Sequence, residues 1–390
     1  MKPAGKLLMF SIVVAYFISC QKPFNPDVTT SGVNYLVVEG VINSGQDTTH
    51  IKLSRSAKLE SKSFEPEGGA RVKVEGDDDS SYQLIEDLKG TYSAINLSLP
   101  ADHKYRLHIV TADGREYLSE FVENKITPPI DSITFKPLTN GVQFYANAHD
   151  ANNKTRYYRW DYDESWTYEA AYRSNLKYEG GEVRFRTKDE LTFTCYRHAR
   201  PSNSVFIGSS AKLATDFISQ SPIGFVDAGT GKFFHIYSIE VAQYALTSEA
   251  YTYWELIKKN TEQLGSIFDA SPSSTLTNIH AINNKELVIG YVSVSTITKK
   301  RIFIEGRNLP FPVSVTENAD FKCKKDTILY DPLSSYKDRE ESKFARGDSI
   351  PTDVYARKPD GLRLGFFYAP KICVDCRLQG GTNIKPFYWP

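Results

Sequence analysis

The stretch Ala70-Arg71-Val72-Lys73-Val74-Glu75 alternates apolar and polar residues without exception, then breaks at Gly76-Asp77-Asp78-Asp79-Ser80. A period of two places every apolar side chain on one face of an extended strand, which a helix cannot do. Short strand-like runs follow one another from residue 35 onward, over residues 35–42, at His50-Ile51-Lys52-Leu53-Ser54, where the alternation repeats, at Tyr82-Gln83-Leu84-Ile85, and over residues 91–95, 105–110 and 116–121. Turn residues separate the runs, with hairpin chemistry at Lys89-Gly90-Thr91 and Asp113-Gly114-Arg115. Short alternating strands at this spacing predict a β-sandwich over residues 34–126.

This first unit resembles an immunoglobulin-like or carboxypeptidase-regulatory-like domain. Thr127-Pro128-Pro129-Ile130-Asp131 then forms a stiff, non-helical joint, because a residue before proline is pushed away from helix. The chain is too long for one ordinary core, and residues 131–390 read as a larger β-rich domain. Strands are expected at 132–135, 142–146, 156–163, 191–196, 233–241, 287–294 and 301–305. In the third of these, Tyr158, Trp160 and Tyr162 share one face, while Arg159, Asp161 and Asp163 share the other. One prominent helix interrupts the strands at 248–264. Thr247 or Ser248 caps it, Ala250, Trp254, Ile257, Thr261 and Leu264 form its apolar stripe, and Gly265 stops it. The fold class is therefore mainly β, with residues 331–358, rich in charge, as a long loop.

The first residues set a compartment. Lys2 and Lys6 precede an uncharged run over residues 7–19, which closes on Phe17-Ile18-Ser19-Cys20. A basic start, a short apolar stretch and a small residue before a cut are the parts of a secretory signal peptide. The stretch is shorter than the roughly 20 residues a spanning helix needs. A cysteine directly after the small residue resembles the bacterial lipobox, with Phe17 departing from the usual leucine. Residues 1–19 are then the signal peptide, and Cys20 carries diacylglyceryl and N-acyl lipid. Residues 20–33, polar and proline-containing, form a tether.

Lysine plus arginine (47) equals aspartate plus glutamate (47), which argues against a nucleic-acid partner, since that needs a basic footprint. In an oxidising envelope the four remaining cysteines, Cys195, Cys323, Cys373 and Cys376, suggest two disulfides with three connectivities open. If Cys373 and Cys376 lie on one extended segment, each reaches a different partner.

Several later motifs carry a family resemblance. They include Pro128-Pro129-Ile130-Asp131-Ser132-Ile133, Tyr253-Trp254-Glu255-Leu256, Asn260-Thr261-Glu262-Gln263-Leu264-Gly265, Asn278-Ile279-His280, Val288-Ile289-Gly290-Tyr291-Val292-Ser293 and the ending from Cys373 to Trp389. In this order they resemble the Bacteroidota lipoprotein family called domain of unknown function 4249, over nearly the whole mature chain. The resemblance implies an outer-membrane lipoprotein, displayed at the cell surface or, alternatively, on the periplasmic side. It also implies genes that neighbour TonB-dependent receptors. It carries no catalytic residues, and only the lipid cysteine transfers, onto Cys20.

Motifs for chemistry are scarce. The seven histidines form neither H-x-x-H nor H-E-x-x-H, and there is no G-x-S-x-G, Walker A or G-x-G-x-x-G run. No cofactor or metal is expected, and Asp77-Asp78-Asp79 reads as a solvated hairpin tip. Asp161, Asp163 and Glu164 could form a glycosidase pair, although alternating acids more often make a wet strand face. Trp160, Tyr162 and Trp166 are candidate ligand contacts that sandwich core packing explains at least as well. His280 is a fourth candidate, or a residue that fixes a turn. The leading expectation is a non-enzymatic accessory lipoprotein that binds or presents a ligand to a TonB-dependent receptor, or assembles with it. The alternatives are a surface glycan- or peptide-hydrolysing enzyme and a structural or adhesive envelope protein.

Overall fold

The computed structural model describes residues 34–56, 64–201, 204–262, 277–282, 286–311, 323–330, 340 and 342–390. Cys20 and the segments expected to be its signal peptide and tether lie outside them, as do Leu264 and Gly265. No described helix is long and apolar enough to cross a membrane.

The alternating runs form nine strands: β1 (Leu36–Asn43), β2 (Thr49–Arg55), β3 (Glu65–Pro66), β4 (Arg71–Gly76), β5 (Ser81–Leu88), β6 (Thr91–Ala94), β7 (Lys104–Val110), β8 (Glu116–Ser119) and β9 (Val122–Glu123). Their order is β8-β7-β4-β5-β6-β2-β1, and β5 pairs with both β4 and β6, so it joins the two layers. Alternation decides which side is dry. Val72 and Val74 of β4 meet Tyr105, Leu107 and Ile109 of β7 in one buried cluster. Arg71, Lys73 and Glu75 stay on the wet face.

Beyond the joint come β10 (Ile130–Leu138), β11 (Gly141–Ala148), β12 (Tyr157–Glu169), β13 (Leu176–Glu179), β14 (Glu182–Phe185), β15 (Thr194–Ala199), β16 (Phe206–Ser209), β17 (Ile218–Asp227) and β18 (Ile236–Ala245). Helix α1 (Ser248–Glu262) follows, then β19 (Ile279–Ala281), β20 (Val288–Gly290), β21 (Ser293–Ser295) and β22 (Ile297–Glu305). Sheet β10-β11-β17 faces sheet β15-β12-β18-β22, with β16 alongside the first part of β12. Phe144, Trp160, Tyr237 and Val241 belong to the core between them. Thr247 caps α1, its Oγ1 accepting from the Ala250 N–H at 3.2 Å.

Strand β17 departs from expectation. No strand is expected between 196 and 233, yet Pro222 and Gly224, residue types that disfavour strand interiors, both sit inside it at shifts in its register with β11. The strand is the edge of its sheet, where a missing N–H is tolerated. A Cβ on Gly224 would lie 2.7 Å from the Tyr162 ring, so glycine there permits the two sheets to close.

The segment holding β19 to β21 returns to the first body. Strand β19 pairs antiparallel with β8, while β20 and β21 pair parallel with β1. Ile279, Val288, Val292 and Val294 enter the first core. Residues 131–390 therefore do not form a self-contained second domain. The physical reason is that β1 and β8 would otherwise be open edges with unpaired backbone groups. Glu286 fastens this return: Arg55 Nη1 at 2.7 Å, Arg115 Nη1 at 2.8 Å and the Tyr117 hydroxyl at 2.7 Å all donate to its carboxylate.

The remaining strands are β23 (Asp326–Leu329), β24 (Ser349–Val354) and β25 (Gly365–Pro370), in the order β23-β25-β24. Strand β24 corrects the expectation of a loop there, since Pro351 falls next to a register shift that lets the strand carry it. Leu176 and Val183 from the β13–β14 hairpin share a small core with Phe344, Phe366 and Tyr368. The disulfides are Cys195–Cys376 and Cys323–Cys373, so neighbouring Cys373 and Cys376 do take different partners.

Candidate functional site

Three of the four candidate contact residues are interior. Trp160, Tyr162 and Trp166 are 1%, 8% and 7% exposed and belong to the main core, where no ligand ring can reach their faces. Trp160 Nε1 donates to Gln243 Oε1 at 2.8 Å, and Lys232 Nζ sits 4.8 Å from the Trp166 ring centroid. His280 is at the surface on β19, 3.5 Å from a Glu120 carboxylate oxygen. The turn-fixing role beside it belongs to Asn278, whose side chain bonds both the N–H and the carbonyl of Val292 at 2.9 Å. Asp77 and Asp78 lie at an exposed hairpin tip, with Asp77 Oδ1 2.8 Å from His103 Nδ1.

The carboxylates of β12 part company. Asp161 and Asp163 lie on the outer face of the sheet, whereas Glu164 is 2% exposed in the core. Glu164 binds Lys232 and accepts from the Tyr237 hydroxyl at 2.9 Å. Glu164, separated by the sheet itself from Asp161 and Asp163, cannot flank a glycosidic bond with either.

The outer face of β15-β12-β18-β22 is polar and built in rows fixed by strand register. Arg159 and Tyr244 form one row, with the Trp254 ring of α1 4.3 Å from the Arg159 guanidinium carbon. Burial pushes the Tyr244 phenol up to about 12. Further along, Asp163 stands opposite Glu240, and Glu240 opposite Arg301. Then come His198, Ser165, Ser238 and Phe303, followed by Tyr196, Thr167, Ile236 and Glu305.

Ser165, His198 and Asp163 are close enough to test as a triad. Ser165 Oγ is 3.3 Å from His198 Nδ1, and His198 Nε2 is 3.8 Å from Asp163 Oδ1. Ser165 is 1% exposed, its Oγ also lies 3.0 Å from the Tyr388 hydroxyl, and it sits mid-strand between two paired neighbours. Its surrounding N–H groups belong to ladders, so none is left to stabilise an oxyanion. The cluster anchors the C-terminal segment rather than assembling a nucleophile.

That segment closes over the far end of the face. Backbone bonds join Tyr196 and Thr382 in both directions, at 2.8 and 3.1 Å, and the Cys195–Cys376 disulfide fixes the approach. Trp389 packs edge-on against Tyr196 and Phe303, with centroid separations of 5.3 and 5.5 Å. Between the segment and the sheet lies a cavity of about 480 Å³. Thr167, Thr194 and Tyr196 line it from the sheet, Phe234 and His235 from the start of β18, and Lys385 and Trp389 from the C-terminal segment. Burial raises the Tyr196 phenol above its ordinary value. His235 Nε2 is buried and 3.2 Å from Glu169, but without the alignment of a hydrogen bond.

A second, larger cavity of about 670 Å³ lies beside the joint. Much of its polar lining is already engaged, Asn124 Oδ1 excepted: Asp150 accepts from the N–H groups of Asn152, Lys154 and Thr155. His149 pairs with Asp131 at 2.8 Å, which raises the imidazole above its ordinary value. The smaller cavity, with aromatic rings and polar atoms still available, is the better candidate site.

None of its residues stood out in the sequence, because they come from five separated stretches. Two signals were present: the i, i+2 spacing of Thr194 and Tyr196, and the aromatic run Phe387-Tyr388-Trp389 just after the stapled cysteines.

Residues 21–301 match the family described as Domain of unknown function (DUF4249). The chain belongs to this family. The match is narrower than the extent over which the resemblance was expected, and Cys323, Cys373, Cys376 and Trp389 lie beyond it. No curated protein sequence matches the chain. Among solved structures, a two-domain fibronectin type III segment of chicken tenascin aligns at 12% identity over 54% of this chain and 90% of its own, with a TM-score of 0.15. The FN1–FN3 domains of chicken CNTN1 align at 10% identity over 54% of this chain and 62% of theirs, with a TM-score of 0.16. Trypsin-activated alpha-2-macroglobulin from Escherichia coli aligns at 10% identity over 56% of this chain and 15% of its own, with a TM-score of 0.18. TM-scores this low carry no argument about function.

Proposed function

We propose that this family member is a lipid-anchored accessory protein of the bacterial outer membrane, which binds a small ligand and presents it to, or assembles with, a TonB-dependent receptor. The observation that carries the binding role is the cavity under the C-terminal segment, where aromatic rings meet the hydroxyl-bearing Thr194 and Tyr196 and the buried His235 Nε2. A disulfide and a two-way backbone bridge hold that segment in place, which suits a preorganised site. Support for the anchor comes from Cys20 after its uncharged run. The receptor as partner follows from the family resemblance.

The experiment is affinity purification of the full chain from native outer membrane in mild detergent. A receptor barrel is expected to co-purify, and recovery of none would remove the partner from the proposal. In parallel, Cys20→Ser is expected to release the protein from the membrane fraction. Retention there would remove the lipid anchor.

A further inference from the structure

We infer that the cavity between the C-terminal segment and the outer sheet face takes a saccharide, one ring lying between Tyr196 and Phe234. This rests on the ligand-binding role proposed above and names the chemistry of that ligand.

The charges at the site are few and partly paired. Arg307 pairs with Glu305 at 2.5 Å, and Lys385 Nζ donates to the Pro390 carbonyl at 2.7 Å. Glu305 meets the Arg307 charge, while the Lys385 ammonium keeps donors that a ligand hydroxyl can accept from.

What remains is neutral and of two kinds. The hydroxyls of Thr194 and Tyr196 have no hydrogen-bond partner among the described residues, and His235 Nε2 is buried without one. Hydroxyls and imidazole both donate and accept, which matches the hydroxyls of a sugar, each also a donor and an acceptor. The other lining is aromatic, and the C–H face of a sugar ring is the part that packs on it. An apolar ligand would satisfy the rings and strand the polar atoms. A saccharide satisfies both, and the cavity volume is in the range of small-molecule sites.

The test uses the full chain with its disulfides intact, extracted in detergent. Maltose, cellobiose and N,N′-diacetylchitobiose are titrated by saturation-transfer NMR and tryptophan fluorescence, with glycylglycine as the charged comparison. Thr194→Val and Tyr196→Phe keep shape and remove one hydroxyl each, and thermal melts verify that both fold. Saturable binding of a disaccharide, weakened about fivefold or more in each variant, is the expected result. Disaccharide binding that neither variant changes overturns the site. Saturation by glycylglycine alone, weakened by Tyr196→Phe, overturns the saccharide but leaves a ligand-binding cavity. Binding of no probe up to about 10 mM overturns the saccharide.

Discussion

Gln243 donates from Nε2 to the Pro128 carbonyl at 2.8 Å, so a core side chain holds the joint between the two β bodies. Its Oε1 accepts from Trp160, and Pro128 also receives the Thr298 hydroxyl at 3.0 Å. Next to it, the Thr127 N–H donates to Thr296 Oγ1 at 2.8 Å, and the Ala245 N–H to Thr127 Oγ1 at 3.0 Å. The prolines alone would stiffen a linker. These bonds make it a seam.

Gln243→Leu keeps the volume but strands the buried Trp160 N–H. A loss of about 2–3 kcal/mol is expected in urea unfolding, with the slope unchanged. A loss below about 0.5 kcal/mol would show that the seam does not depend on this amide.

The alternating strands were legible because Val72 and Val74, or Tyr105, Leu107 and Ile109, declare their face within a few residues. Trp160 and Tyr162 were equally legible as a shared face, though not as core against contact. Ile279-His280-Ala281 carries no local sign that it pairs with Tyr117, Leu118 and Ser119, since the partner is fixed by which edges remain open. Strand β17 was hidden by Pro222 and Gly224, whose local preference loses to the close approach of Tyr162. The cavity was least legible, for it exists only once distant stretches are brought together.

Glu286 ties the return segment to the first body. Burial pushes its carboxyl upward, but hydrogen bonds from Tyr117 and Arg115, with the charges of Arg115 and Arg55, outweigh burial and hold it below the ordinary value. A depressed folded pKa means the stabilisation is complete above the unfolded value and is lost as pH falls through the folded one. Glu286→Gln is therefore expected to cost about 2–3 kcal/mol at neutral pH and progressively less below pH of about 4. Equal loss at both pH values in chemical unfolding would contradict the charge-based account.

The Cys195–Cys376 staple spans 181 residues and the Cys323–Cys373 staple spans 50. Replacing both Cys195 and Cys376 by serine should cost about 2–5 kcal/mol, the larger effect of the two pairs on loop-closure grounds. It should also free the segment over the cavity. Limited proteolysis reads this as early cleavage after residue 376, and resistance equal to the parent would argue that packing alone holds the segment.

Glu164 and Lys232 form an ion pair of which the carboxylate is almost wholly buried, their side chains being 2% and 22% exposed. Lys232→Met leaves that carboxylate with the Tyr237 hydroxyl and should cost about 3 kcal/mol or more. The double variant with Glu164→Gln should be less damaged than the single, a coupling that a double-mutant cycle in urea measures directly. Additive losses would mean the two charges do not sense each other.

The return of β19 to β21 gives the chain an order of assembly. Residues 279–295 are synthesised only after β1 to β18, so the first body is translated early and completed late. Until then β1 and β8 offer bare strand edges to any neighbouring chain. A fragment ending before β19, however well it covers the first alternating runs, is a template for aggregation rather than a domain.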